Sequence, residues 1–159
     1  MAINKNLLGA AGEHLVLSRL LAKELLATMA PGGYEKTDIF VQLPKDQTIK
    51  IQVKTSVTGA KGGWVMSEKY ESLKDRDLYF CLVDMSKLNP QVYVLPARVV
   101  ARVVRDAHVA YLALPKKSGG THKDTARREL KNFYTFDVPG APHGWLDRYL
   151  EDWDQILGK

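Results

Sequence analysis

Between Leu7 and Met29 the chain is dominated by Ala, Leu and Glu, with no proline and with glycine only near the start, which predicts one long helix. Asn6 is placed to cap its N-terminus, and Pro31-Gly32-Gly33 stops it. Two alternating segments, Lys36–Leu43 and Thr48–Thr55, flank a Pro-Lys-Asp-Gln turn and read as a β-hairpin. A glycine-rich loop, Gly59–Gly63, leads to a strand-like Trp64–Met66 and a short helix over Ser67–Lys74 capped by Ser67. Leu78–Met85 is a continuous apolar run, as expected of a strand buried on both faces. After the turn at Asn89-Pro90, Val92–Leu95 reads as a strand and Ala97–Val109 as a helix opened by Pro96. Tyr111–Leu114 reads as a short strand and Lys116–Thr121 as a surface loop. Asp124–Asn132 reads as a short helix and Phe133–Val138 as a strand. Trp145–Leu157 closes the chain as an amphipathic helix with Trp145, Tyr149, Trp153 and Ile156 on one side.

This order predicts an α/β sandwich with a central mixed β-sheet flanked by helices. The 159 residues are expected to form a single domain, 1–159, with no repeat or linker. With 45% apolar and 26% charged residues, wholesale disorder is excluded. The single cysteine, Cys81, rules out an internal disulfide and a cysteine-based zinc site, and its apolar surroundings predict a buried small hydrophobe. Met1–Leu8 lacks the order of a secretory leader, and no apolar run approaches the roughly 20 residues of a membrane span. A soluble, cytoplasmic protein is expected. The net charge of +5 favours a polyanion such as nucleic acid as partner.

The hairpin carries the chemistry. Side chains alternate along a strand, so Ile39, Val41 and Leu43 share one face and Asp38 takes the other. On the second strand Ile49, Ile51 and Val53 share a face, opposite Lys50, Gln52 and Lys54. Both apolar rows must meet one core, which fixes the parity of the register and demands a three-residue turn, Pro44–Asp46 or Lys45–Gln47. Asp38 then lies opposite Gln52 or Lys54 on the same face. A carboxylate, an amide and an ammonium side by side suit metal-assisted phosphodiester hydrolysis, since Mg²⁺ takes oxygen ligands and an ammonium can orient water or offset developing charge. Glu13, at helical spacing from Gly9, Leu17 and Leu20, puts a further carboxylate on a mostly apolar stripe, where Gly12 permits close approach. Taken singly, Asp38 and Lys54 also read as a cross-strand ion pair worth a few tenths to about 1 kcal/mol. Glu13 also reads as an exposed helix former.

Three segments together, Gly9-Ala10-Ala11-Gly12-Glu13-His14-Leu15-Val16, Thr37-Asp38-Ile39-Phe40-Val41 and Ile51-Gln52-Val53-Lys54-Thr55, resemble the PD-(D/E)xK nuclease superfamily. The likeness is greatest to its branch of archaeal Holliday-junction resolvases, intron-associated endonucleases and Mrr-like enzymes. The resemblance covers about the first 55 residues. It implies a restriction-endonuclease-like fold and Mg²⁺-dependent cleavage of DNA, with Mn²⁺ as a substitute and RNA left open as substrate. It assigns the catalytic set Glu13, Asp38, Gln52 and Lys54, with Glu13, Asp38 and Gln52 toward the metal, and implies a homodimer or higher oligomer. Two positions depart from the family pattern: Thr37 stands for the proline and Gln52 for the acid. The second leaves room for an inactive homologue that binds nucleic acid or mediates assembly.

Lys116, Lys117, Lys123, Arg127 and Arg128, with Lys131, form the densest basic stretch and are candidate phosphate contacts. Read as a helix, the segment would cluster Asp124, Arg127, Arg128 and Lys131. His14, His108, His122 and His143 show no metal-ligand spacing. Trp145 and Trp153 are expected in the core.

Overall fold

The computed structural model describes residues 2–157. Helix α1 spans Lys5–Ala22 and is capped by Asn4, not Asn6: the Asn4 Oδ1 accepts the N–H groups of Asn6 (3.0 Å) and Leu7 (3.3 Å). It ends seven residues before the expected Met29. Glu24 turns left-handed (φ 61°), and the N–H groups of Glu24 and Leu25 bond the carbonyls of Leu21 and Leu20. This Schellman arrangement normally takes glycine at its left-handed position. The chain is thereby released into strand β1, Leu26–Met29, which lies antiparallel to β2, Ile39–Gln42.

The predicted hairpin is present. Strand β2 pairs antiparallel with β3, Thr48–Ser56, in the register Ile39↔Ile51 and Gln42↔Thr48. The Leu43 N–H donates to the Gln47 carbonyl (2.8 Å), closing the three-residue turn Pro44–Asp46, in which Lys45 and Asp46 both take positive φ. A crossover then passes through the short helix α2, Gly59–Gly62, strand β4, Trp64–Ser67, and a 3₁₀ turn at Glu68–Tyr70. It returns as β5, Leu78–Asp84, parallel to β3, and β6, Gln91–Pro96, pairs antiparallel with β5. The central sheet is therefore mixed, in the order β1-β2-β3-β5-β6.

Helix α3 runs over Ala97–Ala113 and takes in Tyr111–Ala113 of the expected strand Tyr111–Leu114, with Leu114 as its extended C-cap. Arg127–Leu130, expected within a helix, is strand β7, paired antiparallel with β4 in a second, two-stranded sheet. Phe133–Val138 forms no strand. The expected C-terminal helix is broken into a 3₁₀ turn at Trp145–Tyr149 and one helical turn, α4, Asp154–Leu157. Between them Leu150 bridges Tyr93, and the Glu151 carboxylate takes the Val92 N–H (2.9 Å), so this segment covers part of the β6 edge.

Two cores flank the central sheet. On one side Val16 and Leu20 of α1 pack against Ile39, Val41, Ile49, Ile51 and Val53. On the other, Phe80, Leu82 and Leu95 pack beneath α3, with Trp64, Leu130 and Trp145. Each fully buried Leu, Ile or Phe contributes about 1.5–3 kcal/mol of transfer free energy. Cys81 is buried on β5, and burial pushes its thiol pKa up. No described helix is long and apolar enough to cross a membrane.

Gly12 brings α1 close to β3. A Cβ at this position would overlap the Thr55 side chain, whose hydroxyl is buried and has no hydrogen-bond partner. Gly12→Ala is expected to cost about 1–3 kcal/mol by overpacking. Adding Thr55→Ala should restore part of that loss. Urea unfolding of the single and double variants measures both; equal stability of Gly12→Ala and the parent would refute the close contact.

Candidate metal and nucleic-acid site

The site forms where β2 and β3 part. The ladder between them ends at Ile39↔Ile51, one residue after Asp38. The Asp38 N–H still reaches the Ile51 carbonyl (2.8 Å), but beyond this point the next free N–H of β3, on Val53, has no strand to pair with. The Asp38 carboxylate replaces the missing strand: its Oδ2 accepts the Val53 N–H at 2.6 Å and the Gln52 amide N–H at 2.5 Å. Of the two partners that strand parity allows, Asp38 thus faces Gln52. With the amide nitrogen engaged, the carbonyl oxygen of Gln52 is the end left to serve a ligand.

Paired residues in adjacent strands present their side chains to the same side of a sheet. Gln52 and Lys54 are in register with Phe80 and Leu82, so they share the side covered by α3. Lys54 does not pair with Asp38 as a simple cross-strand ion pair. Its Nζ lies over the Tyr70 ring, 5.2 Å from the centroid, a contact worth roughly 0.5–1 kcal/mol where solvent has access. The 3₁₀ turn after β4 supplies this aromatic partner, which spacing in the sequence did not reveal.

Glu13 comes from α1, in the layer across the sheet, and its charge is felt at the site. Burial, and secondarily the negative charge of Asp38, raise its carboxyl pKa; His14 and Lys54 oppose this. Burial likewise raises the pKa of Asp38, against the Val53 N–H, Lys54 and Gln52, which favour its ionised form. Two partly buried carboxylates thus both have their ionisation disfavoured by burial, Glu13 further by the charge of Asp38, a pattern frequent at functional sites. Among the described residues no three His, Cys, Asp or Glu side chains gather as a ligand group. The set here is two acids and one amide.

Both folded-state pKa values lie above the unfolded ones, so the folded protein holds these protons longer. That contribution to stability is complete below the unfolded values, about pH 4, and is lost as pH rises through the folded values. In metal-free buffer, Glu13→Gln or Asp38→Asn is expected to flatten the decline in melting temperature over that interval. An unchanged pH profile in both variants would contradict this electrostatic account.

The basic residues are only partly brought together. Lys116 and Lys117 stand in the loop after α3, and Lys123 and Arg127 are exposed. The helical grouping with Lys131 is corrected, because these residues lie on and around strand β7. Alternation along that strand turns Arg128 inward with Leu130. Arg128 is buried, ion-paired with Glu71, and bonded to the Thr125 carbonyl, so it is not a free phosphate contact. Trp145 and Trp153 are buried, as expected.

No protein-family model matches the chain, and no curated protein matches it. Among solved structures it is similar to a bacterial homing endonuclease, I-Ssp6803I, with a TM-score of 0.52 at 17% identity, covering 98% of this chain and 93% of that one. The two chains share an architecture, a mixed sheet between helices.

Proposed function

We propose that this protein is a divalent-metal-dependent endonuclease of the PD-(D/E)xK type that hydrolyses phosphodiester bonds of DNA. The observation that carries the reading is the Asp38 carboxylate held against Gln52 and the Val53 N–H at the opening between β2 and β3, with Glu13 and Lys54 coupled to it. Two carboxylates raised in pKa chiefly by burial, beside an amide carbonyl, fit a hard, oxygen-seeking dication. Asp38, Gln52 and Glu13 would hold Mg²⁺, or Mn²⁺ in its place. When bound, the ion polarises the scissile phosphate and acidifies water. Lys54 orients the attacking water or neutralises charge gathering on the phosphorane-like transition state. Cutting both strands of a duplex takes two cuts, which favours a homodimer or higher oligomer.

A second reading is supported by one feature. Gln52 donates to Asp38, satisfying part of the carboxylate without any ion. That suits a nuclease-fold module that binds nucleic acid or mediates assembly without cutting. Incubation with plasmid, branched and single-stranded DNA in Mg²⁺ or Mn²⁺ separates the two. Cleavage that disappears in Lys54→Ala supports the enzyme, whereas equal activity of parent and variant points to a contaminant and sinks it.

A further inference from the structure

A cleft of about 300 Å³ opens between the C-terminal half of α3 and strand β7 with the residues that follow it. Its apolar wall is aromatic: Tyr111 and Tyr134 flank Phe136, with ring centroids 6.5 and 5.6 Å from it. The Tyr134 ring is fixed at its hydroxyl, which donates to the Glu129 carbonyl (3.2 Å) and accepts the Lys131 N–H (3.1 Å). Tyr111 is 39% exposed and packs at a tilt of 36° against the His122 ring, centroids 4.2 Å apart, leaving part of its ring open to a planar ligand.

Cations rim this wall. Lys123, Arg127 and Lys131 all line the cleft. Arg127 and Lys131 share the single carboxylate of Glu129, at 2.9 and 2.7 Å. Lys123 takes part in no ion pair among the described residues. A surplus of positive charge around π-faces selects a ligand that is planar at one end and anionic at the other. The volume lies at the lower end for small-ligand sites, enough for one nucleotide and too small for a duplex.

We infer that this cleft receives a single unstacked nucleotide of a nucleic-acid strand, its base against Tyr111 and Phe136 and its phosphate among Lys123, Arg127 and Lys131. The inference rests on the nuclease reading for the identity of the strand. Arg128 at the floor of the cleft is paired with Glu71, which follows Tyr70, the ring beneath the Lys54 ammonium. A nucleotide seated there extends along the same side of the sheet as the Asp38 site.

Fluorescence anisotropy with labelled oligothymidylate in EDTA tests this without any cleavage. Tyr111→Ala is expected to weaken binding about 10-fold, the usual loss for one stacked base. Lys123→Gln and Arg127→Gln should each lower the slope of log affinity against log salt by roughly one. Both basic positions are exposed, so their replacement leaves the core intact. Wild-type binding by all three variants overturns the proposal. So does thymidine monophosphate binding as tightly as the oligomer, which would mark a free-nucleotide site, or a duplex competing equally well. Parent protein that binds oligothymidylate in this way but never cuts with Mn²⁺ sinks the nuclease reading and keeps the cleft. Parent protein that cuts, with cleft variants unchanged in binding, sinks the cleft alone.

Discussion

Lys54→Ala is expected to lower the rate of metal-dependent DNA cleavage by about 10²–10³-fold, the loss typical when one preorganised charge-stabilising group is removed. Its fold should survive. The side chain is half-buried and makes no ion pair or hydrogen bond among the described residues, lying only over the Tyr70 ring, so stability should fall by no more than about 1 kcal/mol. Metal affinity distinguishes its role from that of Asp38. Mn²⁺ should raise the melting temperature of Lys54→Ala as it does that of the parent, because the oxygen ligands are intact. Asp38→Ala should lose both the cleavage and the metal-induced shift. It also deprives the Val53 N–H of its acceptor, so its unfolding curve must be recorded beside its activity. A Lys54→Ala protein that cuts at the parental rate would mark the activity as a contaminant's and remove the enzymatic reading.

Removing the partner of a buried charge has the largest expected effect on stability. Glu71→Ala should cost about 3 kcal/mol, since it strands the Arg128 guanidinium, whose side chain is 5% exposed. For a chain of this length that corresponds to a fall of roughly 6–12 °C in melting temperature. Asp124 lies 3.7 Å from Arg128 but is 67% exposed, and a solvated carboxylate at that distance compensates little. Arg128→Met should be much milder, because Glu71 retains access to water while the new side chain fills the apolar space beside Leu130. The asymmetry is the test. Equal losses for the two variants, measured by urea unfolding, would mean that packing and not the buried charge governs this position.

The hairpin was readable because its information is local. Ile39, Val41, Ile49, Ile51 and Val53 alternate with polar residues, and a one-residue slip would have exposed one row. That constraint left Asp38 opposite Gln52 or Lys54, and the strand ladder decides for Gln52. The interruption of α1 was not readable, because the left-handed residue is Glu24 where glycine would have marked the stop. Local propensity also misled at Arg127–Leu130. Arg, Glu and Leu all favour helix, yet pairing with Trp64–Ser67, some sixty residues earlier, turned the segment into a strand.

Periodicity and turn chemistry within about 20 residues therefore sufficed for the α/β class and for one edge of the site. Three things needed the folded chain: Tyr70 under Lys54, Glu13 coupled to Asp38 from the opposite layer, and Arg128 drawn inward with Glu71. Each depends on which distant segments pack together. That choice is made by the burial of whole faces and the closing of long loops, and no short window of residues records it.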